Sequence, residues 1–70
     1  MGNINRTHYH ELNLILWDMH NKFVKPEIAL ELYEKRWGYV DKTKITKKEK
    51  ALVQRLVKDI GGGIFMPAAH

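Results

Sequence analysis

The stretch that decides the fold is TKKEKALVQRLVKDIG, residues 46–61. Thr46 and Glu49 match the capping box, in which a threonine hydroxyl and a glutamate carboxylate each satisfy a free N–H at the start of a helix. The apolar residues that follow recur at helical spacing, and the glycine at position 61 ends the pattern. The apolar residues are Leu52, Val53, Leu56, Val57 and Ile60. The stretch therefore predicts an amphipathic helix over 47–60.

The opposite face of this helix is basic. Lysines crowd its first turn, where the positive end of the helix dipole makes them locally unfavourable and where a docked phosphate would compensate. The alternative is that Glu49, Asp41 or water neutralises these charges and that the face is only solvated. The candidate nucleic-acid-binding residues are Lys47, Lys48, Lys50, Gln54, Arg55 and Lys58.

Charge is distributed unevenly along the chain. Residues 1–41 hold five basic and six acidic side chains, whereas residues 42–70 hold seven basic and two acidic ones, for a total net charge of +4. A basic end of this kind indicates a polyanionic partner, with nucleic acid first and an acidic protein second.

Two further helices are predicted upstream. The first covers about 6–21, because its apolar residues recur at the spacing of one helix face. The second covers about 26–37, since Pro26 suits the first turn of a helix. The residues on the first apolar face are Leu12, Ile15, Leu16, Met19 and Phe23.

Three amphipathic helices in 70 residues predict one small domain over 1–70. The fold class that we expect is all-α, as a small three-helix bundle or a helix-turn-helix-like domain. The tail over 61–70 carries an apolar segment, Ile64 to Met66, that we expect to fold back on the helices. Only a weak strand signal occurs over 39–45.

Aromatic residues form the second constellation. Large aromatics at helical spacing usually belong to a core, but three short helices offer little area with which to cover them all. An exposed aromatic patch would serve partner docking or pairing of two copies as a homodimer. The candidate protein-interface residues are Trp17, Tyr33, Trp37 and Tyr39.

The sequence carries few signs of catalysis. It contains no serine and no cysteine, and its glycine run follows a helix instead of preceding one. His8, His10 and Glu11 do not make the converging ligand set that a metal requires. We therefore expect no enzymatic activity, no catalytic residue, no metal and no cofactor. The apolar runs are too short to span a membrane, and a secretory signal is lacking, which predicts a cytoplasmic protein.

Two functional hypotheses follow from these patterns. One is a small nucleic-acid-associated protein or regulator that binds phosphate backbone through the basic third helix. The other is a protein–protein interaction module, such as an inhibitor, an antitoxin-like adaptor or an assembly subunit, that uses the aromatic surface and binds no nucleic acid.

Overall fold

Three α-helices and a two-stranded sheet make up the regular structure in the computed structural model, which describes residues 1–67. The chain is thus a small helical domain. It also contains a sheet, so the prediction of an all-α fold holds only in part. In chain order the elements are β1 (Ile4–Asn5), a 3₁₀ helix (Arg6–His8), α1 (His10–Ile15), β2 (Phe23–Val24), α2 (Pro26–Lys35), a second 3₁₀ helix (Trp37–Tyr39) and α3 (Lys47–Asp59).

Helix α3 closely follows its predicted limits. The Thr46 hydroxyl accepts a hydrogen bond from the Glu49 backbone N–H at 3.1 Å, which confirms the N-cap. Its inward side buries Leu52, Val53 and Leu56. Beyond the last turn, Gly63 donates its N–H to the Val57 carbonyl at 2.8 Å with a φ of 84°, a conformation that favours glycine.

Helix α2 begins at Pro26 as predicted and is two residues shorter than expected. Its ending follows from Arg36, whose backbone leaves the helix at φ −115° and ψ 22°. A 3₁₀ turn over Trp37–Tyr39 then leads the chain toward α3. The buried side of α2 supplies much of the core through Ala29, Leu30, Leu32 and Tyr33.

The prediction of a single first helix over 6–21 is wrong. Tyr9 has an extended backbone (φ −133°, ψ 108°) that separates the first 3₁₀ helix from α1. At the other end of α1, the Arg6 guanidinium donates hydrogen bonds to the carbonyls of Asn13, Leu16 and Met19. A side chain therefore satisfies carbonyls that a longer helix would pair with its own N–H groups.

The chain then returns to form the sheet, which the sequence did not indicate. Strand β2 runs antiparallel to β1, with Ile4 opposite Val24 and Asn5 opposite Phe23. Because side chains alternate along a strand, Ile4 and Val24 enter the core and Phe23 faces outward. Phe23 is thus not part of the apolar helix face on which it was predicted. The weak strand signal over 39–45 corresponds to no strand.

The apolar tail folds back in part. Phe65 packs edge-on against Trp37 with ring centroids 5.0 Å apart, and the Met66 N–H donates to the Glu34 carboxylate at 2.8 Å. The side chains of Ile64 and Met66 stay exposed. The end of the predicted tail, 68–70, lies outside the described residues.

The Glu49 carboxylate joins the three helices. It is fully buried and accepts hydrogen bonds from the backbone N–H groups of Glu11 and Leu12, at 3.1 and 2.8 Å, and from the Tyr33 hydroxyl at 2.6 Å. The predicted capping box is therefore wrong in its second half, since Glu49 caps the N-terminus of α1 and not its own helix. The positive end of α1 and three donors offset the cost of burying this charge.

A second buried carboxylate extends this network. Glu11 accepts a hydrogen bond from the Asp41 backbone N–H at 2.7 Å and lies 2.6 Å from Nδ1 of the exposed His10. Glu11 thus ties α1 to the segment that leads into α3. Together the two carboxylates fix the position of the first turn of α3.

Replacing Glu49 by Gln should destabilise the domain strongly. The amide turns one buried acceptor into a donor that faces other donors, at an expected cost of about 2–3 kcal/mol. For a chain of this length, we expect a fall in Tm of roughly 10 °C or more in thermal denaturation followed by circular dichroism. Glu31→Gln, an exposed change of the same kind on α2, is the control. Equal Tm values for the two variants would contradict the role of Glu49.

Candidate nucleic-acid interface

The six predicted nucleic-acid-binding residues are all exposed on α3. At 3.6 residues per turn, Lys47, Gln54 and Lys58 lie along the middle of the outward face. Lys50 borders this line on one side, and Lys48 and Arg55 border it on the other. The structure thus brings the six residues onto one surface, which we call the basic face: Lys47, Lys48, Lys50, Gln54, Arg55 and Lys58.

Two of the three acids nearest in sequence to the basic face, Glu49 and Asp41, are engaged elsewhere. Glu49 points into the core. The Asp41 carboxylate accepts hydrogen bonds from the Thr43 hydroxyl and N–H, at 2.6 and 2.9 Å, and these bonds, with a smaller contribution from Lys44, lower the pKa of Asp41. Within residues 1–67, the single ion pair on this face joins Arg55 and Asp59 at 3.4 Å. The lysine charges of the basic face are therefore not neutralised by neighbouring carboxylates.

Each long edge of the basic face adjoins a recess. On the Lys50 side, a shallow groove of about 390 Å³ extends from Gln54 and Lys58, and its floor includes Val53, Val57 and Phe65. On the other edge, Arg55 borders a cleft of about 400 Å³. The Lys48 ammonium lies 5.3 Å from the centre of the Tyr9 ring, which makes that ring continuous with the basic face.

The predicted protein-interface residues do not form one surface. Trp17 and Tyr39 are 56% and 65% exposed, and their rings meet edge to face at 5.3 Å. Arg36 covers the Trp17 ring at 4.2 Å and forms a bidentate pair with Asp18. This pairing lowers the pKa of Asp18 to about 2 and raises that of Arg36.

Tyr33 and Trp37 take different places. Tyr33 is 0% exposed, so its assignment to an interface is wrong: its ring fills the core and its hydroxyl serves Glu49. Trp37 is half-buried between Tyr33 and Phe65, with the Lys42 ammonium 5.3 Å from its ring. Of the four predicted interface residues, Trp17 and Tyr39 therefore form the exposed aromatic pair.

Sequence reasoning missed three residues beside the basic face. His8, Tyr9 and Phe23 border the cleft on the Arg55 side. They were missed because the prediction of one long first helix placed Phe23 in the core. The available signal was the interleaving of an aromatic residue with Lys22 and Lys25 in a short extended segment.

No group of three or more His, Cys, Asp or Glu side chains suited to a metal ion occurs within residues 1–67. Over the same residues, no helix has the length and apolar character required to cross a bilayer.

Comparison with protein-family models, curated proteins and solved structures finds no match for this chain. The arguments for function therefore start from the exposed charges, the aromatic rings and the recesses described above. Among these features, the basic face combines the most residues on one continuous surface.

The buried Tyr33 hydroxyl should titrate only when the domain unfolds. Burial, followed by the hydrogen bond to Glu49, raises its pKa far above the ordinary value of 10. The unfolded chain loses this proton near pH 10, so the contribution to stability is complete below that pH and is lost as the pH rises above it. In an alkaline titration we expect the Tyr33 absorbance change to coincide with loss of circular dichroism.

Two variants separate this step from the other tyrosines. Tyr33→Phe should remove the absorbance change linked to unfolding, whereas Tyr39→Phe should retain it. Ionisation of Tyr33 in a chain whose circular dichroism is unchanged would contradict the buried hydrogen bond.

Proposed function

We propose that this chain is a small non-enzymatic nucleic-acid-associated protein that binds phosphate backbone through the basic face of α3. One observation carries the proposal: the lysines of this face are exposed and lack carboxylate partners among residues 1–67, while Glu49 and Asp41 are held by other groups. Phosphates neutralise such lysines and release counterions, which favours association.

The side chains on the face also suggest the mode of binding. Lysines contact phosphates as point charges and carry little sequence information, so backbone contacts dominate. Gln54 and Arg55 are the residue types on this face that can make bidentate contacts with base edges, and Arg55 can instead hold a phosphate. Sequence specificity would then depend on a second copy or on another protein, as in small dimeric regulators.

The proposal places α3 as the working element of a helix-turn-helix-like bundle. The connection between α2 and α3 runs over 36–46 and contains a 3₁₀ helix, so it is longer than the usual turn of that motif. The Glu49 network, and not a tight turn, then sets the angle at which α3 is presented.

Fluorescence anisotropy with labelled random-sequence duplex DNA tests the proposal. At about 50 mM salt we expect binding, and at about 200 mM salt a fall in affinity of several orders of magnitude. Lys47→Gln and Lys58→Gln should each reduce the slope of log K against log salt by about 1. Lys35→Gln, on α2, removes the same charge outside the basic face and should leave the slope unchanged. Absence of binding at the lower salt both to this duplex and to a single strand of the same length would refute the proposal.

The exposed Trp17–Tyr39 pair favours a second candidate, a protein–protein interaction module. Tryptophan, tyrosine and arginine dominate interface energetics, and here Arg36 already holds the Trp17 ring in place. The partner would be a second copy of this chain or an acidic protein.

Sedimentation velocity of the protein alone, and of the protein mixed with defined acidic proteins, tests this candidate. We expect a discrete dimer or complex that Trp17→Ala dissociates while circular dichroism is unchanged. Ile64→Ala, which truncates an exposed apolar side chain in the tail, should leave the assembly intact. Equal dissociation by both variants, or a strictly monomeric protein, would contradict the second candidate.

A further inference from the structure

The cleft beside Arg55 lies where β1, the first 3₁₀ helix, β2 and α3 meet. It has a volume of about 400 Å³, and its walls include Asn3, His8, Tyr9, Phe23 and Arg55. A second cleft of about 400 Å³ opens beyond Phe23, with Asn3, Asn21 and Lys25 in its walls. Phe23 and Asn3 belong to both clefts, so the Phe23 ring stands as a ridge between two recesses.

The exposure of Phe23 follows from the strand. Val24 takes the inward position in β2, and Phe23 is therefore left 54% exposed. The Lys22 ammonium lies 5.9 Å from the centre of its ring. With this cation over one face of the ring, the exposed ring offers its other face as a stacking surface for a planar group.

Arg55 links this ring to the basic face. Its Nε–H donates to Asp59 at 3.4 Å, and its Nη groups make no hydrogen bond within residues 1–67. An exposed ion pair of this length contributes little to stability, so a phosphate can replace Asp59 as the partner of the Arg55 guanidinium. The Asn3 side-chain amide likewise makes no hydrogen bond within the described residues, so it can contact the edge of a base.

We propose that the ligand of the basic face is a single-stranded polynucleotide, with its phosphates along Lys48 and Arg55 and a base stacked on Phe23. This inference rests on the proposed function and names its substrate class. In a duplex, paired and stacked bases cannot turn their faces toward a side chain, whereas an unpaired strand can place a base in the cleft. Stacking against an aromatic ring accepts any base, so little sequence preference is expected.

Competition between strands tests the inference. A labelled oligothymidylate of about ten nucleotides and a duplex of the same length are titrated with the full chain by anisotropy at about 50 mM salt. We expect the single strand to bind at least tenfold more tightly. Phe23→Leu, which keeps an apolar side chain but removes the ring, should weaken single-strand binding about tenfold and leave duplex binding unchanged. Phe23→Tyr, which retains the ring, should preserve the preference.

A structural readout accompanies the affinities. In NMR spectra, the single strand should shift the ring protons of Phe23 and the side-chain amide of Asn3, and Phe23→Leu should retain the dispersion of the folded chain. Failure of both ligands to bind would refute the proposed function itself. Equal binding of the two ligands, or a single-strand preference that Phe23→Leu does not alter, would overturn this inference and leave the basic face as a general phosphate-binding surface.

Discussion

The buried carboxylate of Glu49 is the interaction on which the rest of the structure depends. A charge removed from water is tolerated only when enough donors surround it, and here two backbone N–H groups of α1 and the Tyr33 hydroxyl provide them. One side chain of α3 thereby fixes the start of α1 and the last turn of α2. In a chain without disulfides, this polar joint complements a small apolar core.

Helix α1 illustrates why such a joint is required. Six residues form too short a helix to be stable by itself, because most of its backbone groups lack partners within the helix. Glu49 satisfies N–H groups at one end. Arg6 and Arg36 satisfy carbonyls at the other, with Arg36 donating to Ile15 at 2.7 Å. The short helix is thus held at both ends by side chains from distant parts of the chain.

The same arrangement determines the electrostatics of the outer surface. Because Glu49 turns inward, the first turn of α3 presents Lys47 and Lys48 without the acid that lies between them and Lys50 in sequence. A residue that would neutralise a basic stripe becomes part of the core instead. Stability and surface charge are therefore coupled through one side chain, and this coupling supports the proposed binding of an anionic polymer.

The fold was partly predictable from sequence. The Thr46 cap, the start of α2 at Pro26 and the burial of Leu52, Val53 and Leu56 in α3 depend on local chemistry, and they were predicted correctly. The other two predicted core residues of α3, Val57 and Ile60, are partly buried. The first helix was not, because its periodicity is compatible with both a long helix and a short one, and the carbonyl contacts of Arg6 that favour the short one are non-local. Tyr33 was predicted at an interface and is buried, whereas Phe23 was predicted in the core and is exposed. Local sequence does not show whether an aromatic residue on an apolar face will bond to a buried acid or lie in a strand.

The candidate site, like the fold, was predictable from the sequence only in part. The basic face follows directly from the helical spacing of α3, and all six of its residues are exposed as that spacing requires. The cleft beside Arg55 depends on the packing of β1 and β2 against α3, which no local pattern in the sequence specifies.

Amide hydrogen exchange at Glu11 and Leu12 tests the central claim most directly. Amides in the first turn of a helix lack intrahelical acceptors and ordinarily exchange fast. If the Glu49 carboxylate binds them within the core, both should be protected to a degree comparable with the Leu56 amide in α3, and should exchange only through cooperative unfolding. Exchange of Glu11 and Leu12 at the rate of an unprotected peptide, with Leu56 still protected, would contradict the account.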